Sequence, residues 1–140
     1  MDRMLWGIAA AAMLAAAGCT GTDAACSRNA LRNSALNELM PVPVRVEAHE
    51  GCASAAAVGK VRVERAQVPG ARAETADEAY ILEVAADGVT ITAPTARAER
   101  WARVTLEQLA RLSGGKVPCC RITDWPRFKW RGFMHDSGRN

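Results

Sequence analysis

Hydrophobic and polar positions alternate along much of this chain, and the period of the alternation changes once. Val42, Val44 and Val46 are separated by Pro43, Arg45 and Glu47, the two-residue period of a half-buried strand, which predicts a strand over residues 42–48. Val61 and Val63, set apart by Arg62 and Glu64, repeat that period within residues 58–68 until Pro69-Gly70 breaks it. The clearest unit is a hairpin. Tyr80, Leu82 and Val84 project to one side of a first strand and Val89, Ile91 and Ala93 to one side of a second. Ala86-Asp87-Gly88 supplies the turn, with Gly88 expected at positive φ. Past Pro94 the period lengthens. Ala98, Trp101, Ala102, Thr105, Leu109 and Leu112 recur at helical spacing, with Leu106 beside them and Arg97, Arg100, Glu107 and Arg111 facing water. This predicts a helix from about residue 97 to residue 112, ended by Ser113-Gly114-Gly115. A shorter helix over residues 29–39 follows from Leu31, Ala35, Leu36 and Leu39 on one face, closed by Pro41. Strands followed by a helix predict an α+β domain, an antiparallel sheet with helices on one face.

The last apolar run, Trp130 to His135, is short, aromatic and entered after Pro126, which predicts a buried strand. Asp136, Ser137, Gly138 and Arg139 follow at its carboxyl end, where barrel and open α/β folds bind ligands. A buried strand needs neighbours on both edges. Residues 121–140 are therefore expected to open a second domain, and the chain to be the front of a larger protein.

The amino terminus carries a different pattern. Arg3 precedes an uncharged apolar stretch, Met4 to Ala17, too short to span a bilayer and followed by small residues, which predicts a secretory signal over residues 1–18. Leu14-Ala-Ala-Ala-Gly18-Cys19 admits two readings: a lipoprotein signal that makes Cys19 the acylated first residue, or an ordinary cleavage after the small residues. Either predicts export to the periplasm or cell envelope, as an outer-membrane lipoprotein in the first case. Residues 19–39 then form a tether and the short helix, and residues 40–120 the α+β domain. At 140 residues the chain has room for one modest core.

Export suits the cysteines. Apart from Cys19 there are four, Cys26, Cys52, Cys119 and Cys120, in a compartment that permits disulfides, and three pairings are open. Adjacent Cys119 and Cys120 pair only through a strained ring and are the disfavoured couple. Zinc-type ligand spacing is absent, so no metal is expected. The net charge is +3, and fifteen of the eighteen basic residues are arginines interleaved with acids. No basic block with aromatics stands out, and nucleic acid is not an expected partner.

The closing segment also carries a family pattern. Ile122-x-Asp124-x-Pro126-Arg127-Phe128-x-Trp130-Arg131-Gly132-Phe133-Met134-x-Asp136-x-x-Arg139 resembles the opening of the catalytic domain of family 20 glycoside hydrolases, the β-N-acetylhexosaminidases. Upstream, Glu78-Ala-Tyr80-x-Leu82-x-Val84, Asp87-Gly88-Val89-x-Ile91-x-Ala93 and Thr105-Leu106-x-Gln108-Leu109 resemble the accessory domain that precedes the barrel in that family. Residues 41–75 resemble it only loosely, through Met40-Pro41-x-Pro43. Ala98 and Ala102 stand where the family usually has glycines, and Asn140 where it has histidine.

The resemblance implies a (β/α)8 barrel after the accessory domain, no cofactor, and a glycan substrate with terminal N-acetylglucosamine or N-acetylgalactosamine. It also implies retaining catalysis in which the substrate's own acetamido oxygen is the nucleophile, assisted by an adjacent Asp-Glu pair on a later barrel strand. That pair is not in this chain: Asp77-Glu78 has the letters but lies ahead of the hairpin and is read as a solvated turn. No catalytic residue is therefore assigned, and the chain alone is expected to be inactive. Arg139 alone inherits a role, as the guanidinium fork that binds outer hydroxyls of the terminal sugar. Asp136 is read as positioning the strand end and His135 as packing. Arg127, Phe128, Trp130 and Arg131 are read as a domain junction whose arginines pair with acids such as Asp124, and Trp101 as core or interdomain contact. The competing hypothesis is a non-catalytic surface lipoprotein that binds glycan or protein. A small structural envelope protein would leave the ordered pattern of residues 78–140 without explanation.

Overall fold

The computed structural model describes residues 34–134. Their elements run in the order α1 (Ser34–Asn37), β1 (Arg45–Ser54), α2 (Ala55–Val58), β2 (Val61–Glu64), a 3-10 helix (Ala73–Glu78), β3 (Tyr80–Ala85), β4 (Gly88–Thr92), α3 (Ala96–Leu112) and β5 (Lys116–Asp124). The expected signal, Cys19, Cys26 and residues 135–140 lie outside the described residues.

Five strands form one sheet in the order β1-β5-β3-β4-β2. β1–β5, β5–β3 and β3–β4 are antiparallel, while the short edge strand β2 runs parallel to β4. The sheet is therefore mixed rather than wholly antiparallel. The hairpin forms as its alternation requires: Tyr80, Leu82, Val84, Val89, Ile91 and Ala93 are all buried in the main core. The same core takes Ala98, Ala102, Leu106 and Leu109 of α3 and Ala35, Leu36 and Leu39 around α1. Thr95 caps α3, its Oγ1 accepting from the N–H of Ala98. The other face of the sheet carries a small second cluster, Val68, Ala79 and Ile81 with Ala71 and Trp125.

Gly88 has no positive φ. It serves instead as a close approach: a Cβ there would stand 3.2 Å from the carbonyl oxygen of Lys60. The bare backbone lets Val89 N–H donate to Lys60 O at 2.9 Å and bring β2 against β4. Gly114, at φ 60, does take the left-handed position expected past α3.

Three boundaries differ from the sequence expectation. The strand expected over 42–48 is β1, Arg45–Ser54, and Val42, Val44 and Val46 are exposed because β1 is an edge with little packed against that end. Of residues 58–68 only Val61–Glu64 are strand, with Val58 closing α2. The third change is larger. Residues 121–124 belong to β5, which is inserted between β1 and β3, with Cys120 and Ile122 fully buried. The boundary expected at residue 121 thus falls inside a central strand of the first domain. Trp130 to Met134 form no strand, and Trp130, Phe133 and Met134 are 88%, 89% and 92% exposed.

Candidate functional site

A cleft of about 540 Å³ opens between α3 and the segment that leaves β5. Trp101, Val104, Thr105 and Gln108 of α3 form one wall, and Asp124 to Phe128 with Arg131 form the other. Met40, Pro41 and Val42 close one end; Glu78 and Tyr80 also line it. Helical spacing explains the first wall. Ala98, Ala102, Leu106 and Leu109 face the sheet, so Trp101, Thr105 and Gln108, each one position before a buried residue, are left on its flank with Val104 beside them.

The second wall is held by a set of cross-links to the 3-10 helix. Thr75 Oγ1 donates to Pro126 O at 3.2 Å, and Arg72 Nη1 to Arg127 O at 3.1 Å. Glu78 does more. Its carboxylate is only 8% exposed, accepts from Trp101 Nε1 at 3.0 Å and from Arg131 Nη2 at 2.6 Å, and has Arg97 Nη1 at 3.6 Å. Two arginines and an indole N–H converge on one buried acid, which is how a buried charge is tolerated. Arg131 Nη1 also donates to Phe128 O at 2.9 Å, so one guanidinium braces the segment and anchors it.

Gln108, Tyr80, Thr105 and Asp124 of the cleft are also paired. Gln108 donates to Met40 O and accepts from Met40 N, both at 3.1 Å. Tyr80 shares a 2.7 Å hydrogen bond with Thr105 and reaches Asp124 Oδ2 at 3.4 Å. Burial, then the neighbouring Asp124 charge, push the phenol well above its ordinary range. Asp124 Oδ1 accepts from the N–H of Val44 at 3.1 Å. Burial nonetheless raises its carboxyl from the ordinary value, against that bond, the N–H of Trp125, the Tyr80 hydroxyl and the charge of Arg127.

The structure gathers Trp101, Asp124, Arg127, Phe128 and Arg131 around the cleft, while Trp130, read with them from the sequence, is exposed outside it. The partner of Arg131 is Glu78 rather than Asp124, and Glu78 is buried and ion-paired rather than part of a solvated turn. Trp101 is 42% exposed and so belongs to a surface, not to the core. Arg139, Asp136, His135 and Cys19 lie outside the described residues. Cys52 is disulfide-bonded, while Cys119 and Cys120 are free buried thiols, the latter pushed up to about 12 by burial. Among the described residues no group of three His, Cys, Asp or Glu could hold a metal ion.

What the arrangement offers chemically is limited. The two carboxylates of the cleft, Glu78 and Asp124, are both engaged in hydrogen bonds that hold its walls.

Comparison with known proteins places the fold. The beta-hexosaminidase subunit beta of Entamoeba histolytica is 41% identical over 69 residues, 46% of this chain and 12% of that protein. A crystal structure of a beta-N-acetylhexosaminidase superposes with a TM-score of 0.50 at 29% identity, over 64% of this chain and 18% of the other. The Flavobacterium johnsoniae chitobiase shares the fold, with a TM-score of 0.53 at 22% identity, over 71% of this chain and 22% of its own. The chain thus spans between 12% and 22% of the length of these relatives. The signature of glycosyl hydrolase family 20, domain 2, matches residues 24–125, ending one residue past β5. With that match across most of its length, the chain belongs to glycosyl hydrolase family 20, through the family's second domain.

Proposed function

We propose that this chain supplies the accessory domain of an exported β-N-acetylhexosaminidase, an enzyme that removes terminal N-acetylglucosamine or N-acetylgalactosamine from glycans. The family match over residues 24–125 carries the proposal, and the small share of each relative that the chain spans supports it. The chemistry then resides in a barrel domain beyond the described residues. There the substrate's acetamido oxygen acts as nucleophile, one carboxylate orients it and a glutamic acid protonates the leaving oxygen. Residues 125–140 lead into that barrel, and Arg139 contributes its guanidinium to the outer hydroxyls of the terminal sugar. The amino-terminal signal delivers the protein to the cell envelope, with Cys19 as the site of lipid attachment.

A chromogenic N-acetylglucosaminide tests this directly. The 140-residue chain should give no turnover above blank, and the polypeptide carrying the following region should hydrolyse it. In that longer polypeptide Arg139→Ala should lower kcat/KM by roughly 10- to 100-fold, the value of charge-assisted hydrogen bonds. Turnover by the short chain, or none by the long one, overturns the proposal.

The competing non-catalytic glycan-binding lipoprotein is less well supported, because the polar groups lining the cleft already have partners within the protein.

A further inference from the structure

We infer that Cys119 is a disulfide-exchange site: its thiol is set to attack the disulfide of Cys52, forming a Cys52–Cys119 bond and releasing the cysteine to which Cys52 was joined.

The sheet register brings the two residues together. Ala53 of β1 pairs with Val117 of β5, and both lie in the main core. The next pair, Cys52 and Pro118, therefore points to the other face of the sheet. Cys120 returns to the core, so Cys119 shares that other face with Cys52, one step along β5 from its direct partner. Facing residues on antiparallel strands stand about 5 Å apart and each step adds about 3.4 Å, which sets these Cα atoms about 6 Å apart, inside the roughly 4.4–6.8 Å that a disulfide spans. The thiol also leans the right way. A Cβ on Gly51, the residue before Cys52, would stand 3.7 Å from Cys119 Sγ. His49, Glu50 and Gly51 have no register partner on β5, so the two strands part beside the thiol. Gly51, at φ 95 and without a side chain, leaves it a way to its neighbour.

The chemistry needs nothing further. Cys52 carries a disulfide, while Cys119 and Cys120 are free thiols. The other two cysteines of the chain, Cys19 and Cys26, precede the described residues. In the exchange Cys119 gives its proton to water and its thiolate attacks Cys52 Sγ. The old S–S bond breaks, and the leaving sulfur keeps the electron pair and takes a proton from water. One disulfide replaces another, so no oxidant or reductant is consumed. Burial, then the charge of Asp87, hold the Cys119 thiol above its ordinary range, which keeps the thiolate scarce and the step slow. Of the other charged groups on the adjoining strands, Arg121 is bound to Glu83, and His49, Glu50 and Lys116 are exposed. The outcome is mechanical: a tie between Cys52 and its first partner becomes a staple between the first and last strands made.

Peptide mapping without reduction tests this on the purified, oxidised chain with no added thiol. During native incubation at pH 8 a Cys52–Cys119 peptide should accumulate, with an equal amount of newly alkylatable thiol on the released cysteine and a rate independent of protein concentration. Cys119→Ala should abolish it and leave the original bond of Cys52 in place, while Cys120→Ala should not change it. Asp87→Asn, which suits the same turn, should speed the exchange about two- to threefold, because a more acidic thiol is also a weaker nucleophile. No Cys52–Cys119 peptide, or one that forms only in urea, overturns the inference, and so does a rate that grows with protein concentration. A Cys52–Cys120 peptide, or a bond from Cys119 to the former partner with Cys52 left free, overturns the placement of the sulfurs. A rate unchanged by Asp87→Asn removes Asp87 from control of the step.

Discussion

Asp124 is a carboxylate at the end of a central strand, beneath Tyr80 and beside Val44. Burial is the largest influence on it and raises its affinity for a proton in the folded state. A raised carboxyl binds more protons folded than unfolded, so its contribution to stability is greatest below the unfolded value of about 3.9 and is lost as pH rises towards the folded one. Asp124→Asn keeps an acceptor for the Val44 N–H and cannot ionise. Urea unfolding between pH 3 and pH 6 should show the variant gaining on the native protein as pH rises. A constant difference would mean that Asp124 ionises alike in both states. Glu78 shows why such residues elude a sequence reading. Its letters beside Asp77 suggest a turn in water, yet Trp101 and Arg131, the latter 53 positions away, enclose it. Local pattern holds no trace of a partner at that separation. Arginines among aromatics at positions 127–131 were the one usable signal, and Arg127, Phe128 and Arg131 do line the cleft.

At the scale of elements, the units legible in the sequence are those whose contacts are local. The hairpin declares itself through strict alternation on both sides of a two-residue turn, and α3 through an apolar stripe with a threonine cap and terminal glycines. β5 was missed because Lys116-Val-Pro-Cys-Cys-Arg-Ile-Thr-Asp has no regular period. It flanks an irregular register with β1 between Ala48 and Cys52, and Val117 and Cys120 both end up in the core. Trp130 to Met134 gave the opposite error, since aromatic apolar residues satisfy a strand pattern whether a neighbouring strand or a separate domain is to cover them. β2 depends on the absence of a side chain at Gly88. Gly88→Ala sets a Cβ 3.2 Å from a backbone oxygen that cannot rotate away. The expected result is a destabilisation of about 1 kcal/mol, typical of a point substitution, with faster hydrogen exchange at Val89 and unchanged exchange in α3. An unaltered Val89 amide would show that the β2–β4 contact has slack.

For the molecule as a whole, one hydrophobic cluster reaches all three α-helices and all five strands of the described residues, from Ala35 to Ile122. A core shared in this way should unfold as a unit. Far-UV circular dichroism and tryptophan emission are expected to trace a single coincident transition in urea. Emission changing ahead of dichroism would mean that the α3 side and the sheet separate. The family, the α+β class and the accessory position could be read from ordered motifs spread over residues 78–140, but the extent of the domain could not. It closes only with β5, whose two partners, β1 and β3, both lie far upstream of it in the sequence.

That placement of β5 has a consequence for biogenesis. The last strand made is wedged between the first and the third, so β1 has no hydrogen-bonding neighbour until Lys116–Asp124 has been synthesised. Vectorial emergence from the ribosome therefore leaves the sheet open until its final strand arrives, and the loop to be closed is a long one. A nascent polypeptide in that condition keeps β1 unpaired and stays slack until Lys116–Asp124 has been added, so the sheet is completed only after the whole domain has been made.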